Sequence, residues 1–132
     1  MRYYFMINAK LPSLNEYINV CRRNKYQAAK FKRDVEEVIG WAIIEAKAKK
    51  MLQPTCKPLD IVIKWHCKTQ RMDTDNVQSS QKYILDALQK QKIIPNDNRK
   101  YVKQKYHQII DDEKDFVEVF LYESGSVTLT IL

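Results

Sequence analysis

Residues 59–67, Leu-Asp-Ile-Val-Ile-Lys-Trp-His-Cys, constrain the fold more than any other stretch. Leu59, Ile61, Ile63, Trp65 and Cys67 alternate with Asp60, Val62, Lys64, His66 and Lys68. That period of two belongs to a β-strand with one apolar and one largely polar face. Its apolar face needs a cover, and helical patterns lie on either side of it in the chain. From about Tyr26 to about Lys50, Phe31, Val35, Val38, Ile39, Ala42 and Ile43 recur at three- and four-residue steps, which makes one apolar helical face. From about Asn76 to about Lys90, Val77, Ile84, Leu85 and Leu88 make a second.

The remaining patterns complete a sheet. Residues 2–8 alternate with Tyr3, Phe5 and Ile7 on one side, and Leu11–Asn15 reads as a loop because Pro12 lacks a backbone donor. Residues 100–110 read as a strand with Lys103, Lys105 and His107 on one side. Asp111–Lys114 forms a charged turn, and Phe116–Tyr122 returns as a strand, so the two predict a hairpin. The expected fold is a single α+β domain over 1–132, in the order β-α-β-α-β-β, with two helices packed on a mixed sheet. Ser124-Gly125-Ser126 breaks the pattern, and 124–132 stays open between an edge strand, a subunit contact and a tail.

Charge narrows the partners. The net charge is +7, and it is unevenly spread. Residues 1–110 carry 22 Lys and Arg against 10 Asp and Glu, whereas 111–132 carry one against six. A polyanion such as nucleic acid suits the first field, and a solvated basic surface is the plain alternative. Three cysteines with no CxxC pair disfavour a disulfide framework or a structural zinc site. No apolar run reaches the length of a membrane span and the N-terminus lacks a secretory pattern, so a cytoplasmic protein is expected.

Within this basic chain, acid gathers at one place. Asp73 and Asp75 sit two residues apart where the strand hands over to the second helix, and Asp97 follows that helix in a Pro/Asn turn. Residues two apart in extended chain point to one face. Carboxylates that repel one another are usually held together by a cation. Three of them suit Mg²⁺ or Mn²⁺, which would lower the pKa of a bound water and stabilise phosphodiester cleavage. One of Asp73 and Asp75 could instead be a helix N-cap, which explains neither the other nor Asp97. Lys82 lies on the polar side of the helix with Ser79 and Asp86. It is about 10 Å along the axis from Asp75, at ~1.5 Å per residue. It could hold a phosphate or protonate a leaving oxygen, or simply pair with Asp86 one turn away.

Asp73-Thr74-Asp75-Asn76, then Lys82-Tyr83-Ile84-Leu85-Asp86-Ala87-Leu88, then Asn96-Asp97 resembles the RusA-type Holliday junction resolvases. Leu11-Pro12-Ser13-Leu14-Asn15 is similar to that family's short N-terminal Pro/Ser/Asn segment. The resemblance implies Asp73, Asp75 and Asp97 as Mg²⁺ ligands, with Mn²⁺ as a substitute, and Lys82 as the catalytic lysine. In the best-known members that lysine lies one helical turn nearer the aspartate pair, where this chain has Ser79. The resemblance also implies a homodimer that resolves four-way DNA junctions by paired symmetric nicks, in a bacterial or phage-infected cell. Arg22, Arg23, Lys25, Arg71, Lys103 and Lys105 are the expected phosphate contacts. The rival readings are a nuclease for other branched or flapped DNA and a non-catalytic basic DNA-binding protein.

Overall fold

The computed structural model describes residues 2–68 and 78–125. The elements are β1 (Arg2–Ile7), α1 (Leu14–Arg23), α2 (Lys25–Ala48), β2 (Leu59–Cys67), α3 (Gln81–Lys90), β3 (Val102–Asp111) and β4 (Phe116–Glu123). They form one α+β unit on a four-stranded mixed sheet of order β1-β4-β2-β3.

Strand β2 is paired on both edges. It runs antiparallel to β4, pairing Ile61 with Leu121 and Ile63 with Val119. It runs parallel to β3, pairing Ile61 with Lys105 and Ile63 with His107. This corrects the expected hairpin, because β3 and β4 flank β2 instead of pairing with each other. The turn between them arches over the end of β2. There Asp112 N–H donates to the Cys67 carbonyl at 3.0 Å, and Lys68 N–H donates to Asp115 Oδ1 at 2.8 Å. The His66 ring, stacked 3.9 Å from Phe116, bridges Asp112 Oδ2 (2.9 Å) and Glu118 Oε1 (2.6 Å). Local sequence favoured a hairpin, but β2, which has more buried residues than any other described strand, is paired on both edges. Strand β3 is left at the edge, where exposed Lys103 and Lys105 also discourage edge-to-edge association.

Among the described residues one more helix forms than the expected two: α1 begins at Leu14, so Leu11–Ser13 stays a loop as expected while Leu14, Asn15 and the stretch through Arg23 are helical. Its start is a Ser-x-x-Glu sequence, in which Ser13 Oγ accepts the Glu16 N–H at 3.2 Å. Arg22 and Arg23 lie in its last turn, where they suit the helix dipole. Asn24 is extended, ends α1 and caps α2 by accepting the Gln27 N–H at 2.7 Å.

The helices pack on one face of the sheet. Ile39, Ile43 and Ala46 of α2 and Ile84 and Leu88 of α3 share a core with Phe5, Ile7, Ile61, Ile63, Trp65, Val119 and Leu121. Val38 departs from the expected apolar face and is 46% exposed. The buried row of α2 runs through Ile39, Gly40, Ile43 and Ala46 instead. At Gly40 the end of α3 comes close, since a Cβ there would meet Gln91 Nε2 at 3.2 Å. Among the described residues no helix is long and apolar enough to cross a membrane.

Helices α2 and α3 end alike. Met51 N–H bonds to the Ala46 carbonyl and Lys50 N–H to that of Lys47, and Ile93 and Lys92 repeat the pattern with Leu88 and Gln89. Each is a Schellman turn whose left-handed residue is a lysine, Lys50 at φ 60° and Lys92 at φ 62°. A Cβ in that region costs roughly 1–2 kcal/mol, offset in part by the greater freedom glycine has when unfolded. Lys50→Gly and Lys92→Gly should therefore each raise the free energy of unfolding, by about 0.5–1 kcal/mol. Urea denaturation of the two single variants and the double variant checks this, and a lowered midpoint in both singles contradicts it.

Candidate active site at the start of α3

The first turn of α3 is held from outside its own helix. Ser80, the residue before it, is fully buried and makes no side-chain cap bond. Its hydroxyl instead donates to the Pro12 carbonyl. Asp73, Asp75 and Arg71 fall outside the described residues, as does the proposed capping of the helix by either aspartate. Helix α3 as described runs from Gln81, and the expected start at Asn76 lies outside the described residues. The Ser80–Pro12 bond joins two stretches 68 residues apart in sequence.

Lys82, one residue into α3, is the centre of a charge cluster. Its Nζ lies 2.6 Å from Asp97 Oδ2 and 3.1 Å from Asp86 Oδ1. Asp86 Oδ2 also faces Lys32 Nζ of α2 at 3.8 Å. The pairing with Asp86 one turn away, expected as the plain role of Lys82, is present. The contact with Asp97 adds a partner that helical spacing alone does not supply. Asp97 reaches it because the chain after α3 turns through Ile93, Ile94 and Pro95, and both isoleucines are buried in the core.

These contacts set the protonation states. The hydrogen bond from Lys82 holds the Asp97 carboxyl below its ordinary value, with Lys105 lowering it further and burial opposing. Hydrogen bonds to Asp97 and then Asp86 push the Lys82 ammonium above its ordinary value. At neutral pH the site therefore presents an ionised carboxylate beside a firmly charged ammonium.

A cleft of about 250 Å³ opens beside the cluster, lined by Ser13, Tyr17, Lys32, Ser79, Lys82, Tyr83 and Asp86. All three helices contribute to it. Tyr17 meets Tyr83 edge-on at 6.2 Å and Phe31 at 6.4 Å, which gives the cleft an aromatic wall. Burial pushes the Tyr83 hydroxyl up to about 12, so it stays protonated at neutral pH. Tyr17 and Lys32 were not singled out as site residues by sequence. Tyr17 lay in a stretch without an assigned element, and Lys32 read only as part of a basic helix start.

The expected phosphate contacts separate into groups. Arg22, Arg23 and Lys25 are exposed together around the elbow at Asn24. Lys103 and Lys105 are exposed on β3, and Lys105 is near enough to act on Asp97. His107, next along that face, accepts a hydrogen bond at Nδ1 from the Trp65 indole at 3.1 Å. Burial pushes its pKa down, and Lys105 adds to the effect. A neutral ring accepting at Nδ1 carries its proton on Nε2. The sequence pattern placed His107 beside Lys105 but assigned it no role.

Asp97 is a hard oxygen donor and ionised, which is the chemistry Mg²⁺ or Mn²⁺ selects. Among the described residues no three acidic, histidine or cysteine side chains group as a metal site. The expected triad needs Asp73 and Asp75. Compared with known families, the chain matches no family model, and no similar protein is found among curated sequences.

The Lys82–Asp97 pair has a defined pH window. The Asp97 pKa is lowered on folding, so its contribution to stability is complete above 3.8 and disappears as pH falls through the lowered value. The Lys82 pKa is raised, so its contribution is complete below 10.5 and disappears as pH rises through the raised value. The Lys82 side chain is 64% exposed, and solvent screening keeps such a pair below about 1 kcal/mol. A Lys82→Ala, Asp97→Asn double-mutant cycle followed by urea denaturation should give a constant coupling inside that window and a smaller one outside it. Coupling that persists unchanged at pH 2.5, about a unit below the ordinary carboxylate value, contradicts the assignment.

Proposed function

We propose that this protein is a metal-dependent endonuclease of the RusA type that resolves four-way DNA junctions by paired symmetric nicks. The observation that carries the reading is the seat of Lys82 between Asp97 and Asp86. Two parts of the sequence resemblance, the α3 run and the turn at Asp97, 15 residues after Lys82, meet there. The Ser80–Pro12 bond supports it further, because the N-terminal segment of the resemblance docks where the α3 segment begins.

The roles follow from the charge states. Asp97 together with Asp73 and Asp75 would hold Mg²⁺, and such an ion supplies an activated water and charge neutralisation at the phosphate. Lys82, beside Asp97 and Asp86, would supply a positive charge that holds a non-bridging phosphate oxygen or protonates a leaving oxygen. Asp86 holds Lys82 from the other side and keeps it directed along the helix, while Lys32 balances Asp86. The +12 balance of residues 1–110 attracts the DNA backbone, with Arg22, Arg23, Lys25, Arg71, Lys103 and Lys105 as phosphate contacts. A two-fold homodimer suits the paired cuts, because one operator places two sites on equivalent strands.

Cleavage of a synthetic four-way junction tests the proposal. Wild type should nick opposite strands with Mg²⁺ or Mn²⁺ and should be inactive in chelator. Asp75→Asn and Asp97→Asn should lose at least about 100-fold in rate while still binding the junction, a loss on the scale expected when transition-state charge stabilisation is removed. Lys82→Ala should also lose activity, and Lys82→Arg should recover part of it. Failure of both ions to support cleavage would return the Lys82–Asp97 pair to a structural role and leave a basic DNA-binding protein. A separate titration checks the phosphate contacts. Removing Arg22, Arg23 or Lys105 should lower the slope of log affinity against log salt by about one each.

A further inference from the structure

The sheet has a second face, and its chemistry differs from the one the helices cover. The helices bury the side carrying Phe5, Ile7, Ile61, Ile63, Val119 and Leu121. Alternation puts Arg2, Tyr4 and Met6 of β1, Lys64 of β2 and Phe120 of β4 on the other side. Register brings them together, since Tyr4 pairs with Phe120 and Phe120 pairs with Val62, one step from Lys64 along β2.

Phe120 is the middle of this patch. Its ring lies 4.9 Å from Tyr4, with Lys64 Nζ 5.2 Å and Arg2 Cζ 5.9 Å from its centroid. Tyr4 and Phe120 are partly exposed, Arg2 is exposed and Met6 is 45% exposed. Val62 and Tyr122 on the same side are buried and bound the patch. Among the described residues neither Arg2 nor Lys64 is in an ion pair. The adjacent carboxylate, Glu118, is already engaged by the Tyr4 hydroxyl at 2.9 Å and by His66 at 2.6 Å. The patch thus offers an aromatic surface with two cations held over the Phe120 ring and engaged by no carboxylate among the described residues.

We infer that this sheet face binds unpaired nucleotides, with a base stacking on Phe120 and the flanking phosphates meeting Lys64 and Arg2. The chemistry matches single strands rather than duplex, because only an unstacked base presents its face to a ring. It also disfavours a second copy of the chain. A two-fold contact sets the patch against itself and brings Arg2 and Lys64 towards their own like charges. The inference does not rest on the nuclease reading, because it needs neither metal nor cleavage. It adds a separate contact for the single-stranded parts of a nucleic acid substrate.

The test is anisotropy of a fluorescein-labelled oligothymidylate with the full chain in chelator. Stacking on an aromatic side chain is worth about 1–3 kcal/mol per base, so Phe120→Ala should weaken binding by about 5- to 150-fold. Phe120→Tyr, which keeps the ring, should bind within about 2-fold of wild type, well inside the loss expected when a stacking ring is removed. Arg2→Gln and Lys64→Gln should each lower the salt slope by about 0.7, the value for single strands. Urea midpoints show which variants are folded. If Phe120→Ala is not folded, the two charge variants decide, and unchanged salt slopes in both overturn the inference. It is also overturned if folded Phe120→Ala binds the oligonucleotide as wild type does, or loses a blunt duplex equally. Sedimentation that shows a dimer dissociated by Phe120→Ala would assign the face to a subunit contact instead, and the inference would fail.

Discussion

The position of β2 between β3 and β4 governs the rest of the molecule. A strand paired parallel on one edge must be joined to that partner by a crossover, here α3, because a tight turn cannot reverse the chain twice. The crossover brings α3 onto the helix-covered face and places the link from β2 to α3 at the carboxyl end of β2. The same arrangement forces the β3–β4 turn over that end. The Lys68, His66 and Asp112 contacts there secure the chain just before it enters the aspartate stretch. One strand position therefore determines both where the acids enter and what holds the entry in place.

The cluster at α3 shows how local and long-range electrostatics divide the work. The Lys82–Asp86 contact is a one-turn helical pair and needs no tertiary structure. The Lys82–Asp97 contact depends on the turn after α3, which is anchored by buried Ile93 and Ile94 and by the bond from Thr55 N–H to the Ile93 carbonyl at 2.9 Å. A cavity beneath those isoleucines would displace Asp97 before it disturbed Lys82. The geometry of the charge pair is thus set by hydrophobic packing, since the ion pair is too exposed to hold the turn by itself.

Much of this was legible in the chain, and the reasons differ by element. The alternation of 59–67 identified β2, and the periodicity of Ile39 and Ile43 identified the inner face of α2. Both signals come from burial, which leaves a period in the sequence. Strand neighbours were not legible, because β3 and β4 read as hairpin partners from local sequence and the pairing of each with β2 is a long-range contact. Helix α1 was missed although Ser13 and Glu16 form a capping sequence. Pro12 and the basic run from Arg22 drew attention to loop and charge instead. At the site, Lys82, Asp86 and Asp97 were found by spacing and resemblance. Tyr17 and Lys32 line the same cleft through tertiary packing, for which a linear pattern has no signature.

The Ser80–Pro12 bond gives the site a dependence that the order of the chain conceals. Pro12 has no backbone N–H, so its carbonyl is its only backbone hydrogen-bonding group, and Ser80 uses it. Ser80 is fully buried, so its hydroxyl would be costly to leave unpaired. The adjacent Ser13 starts α1, and Tyr17 one turn later reaches Tyr83 on α3. Helix α1 is thus joined to α3 by a hydrogen bond at one end and by ring packing a turn further on. A two-point attachment fixes orientation as well as distance between the wall of the cleft and the first turn of α3. The N-terminal segment consequently belongs to the site's architecture, although none of its side chains touches Asp97.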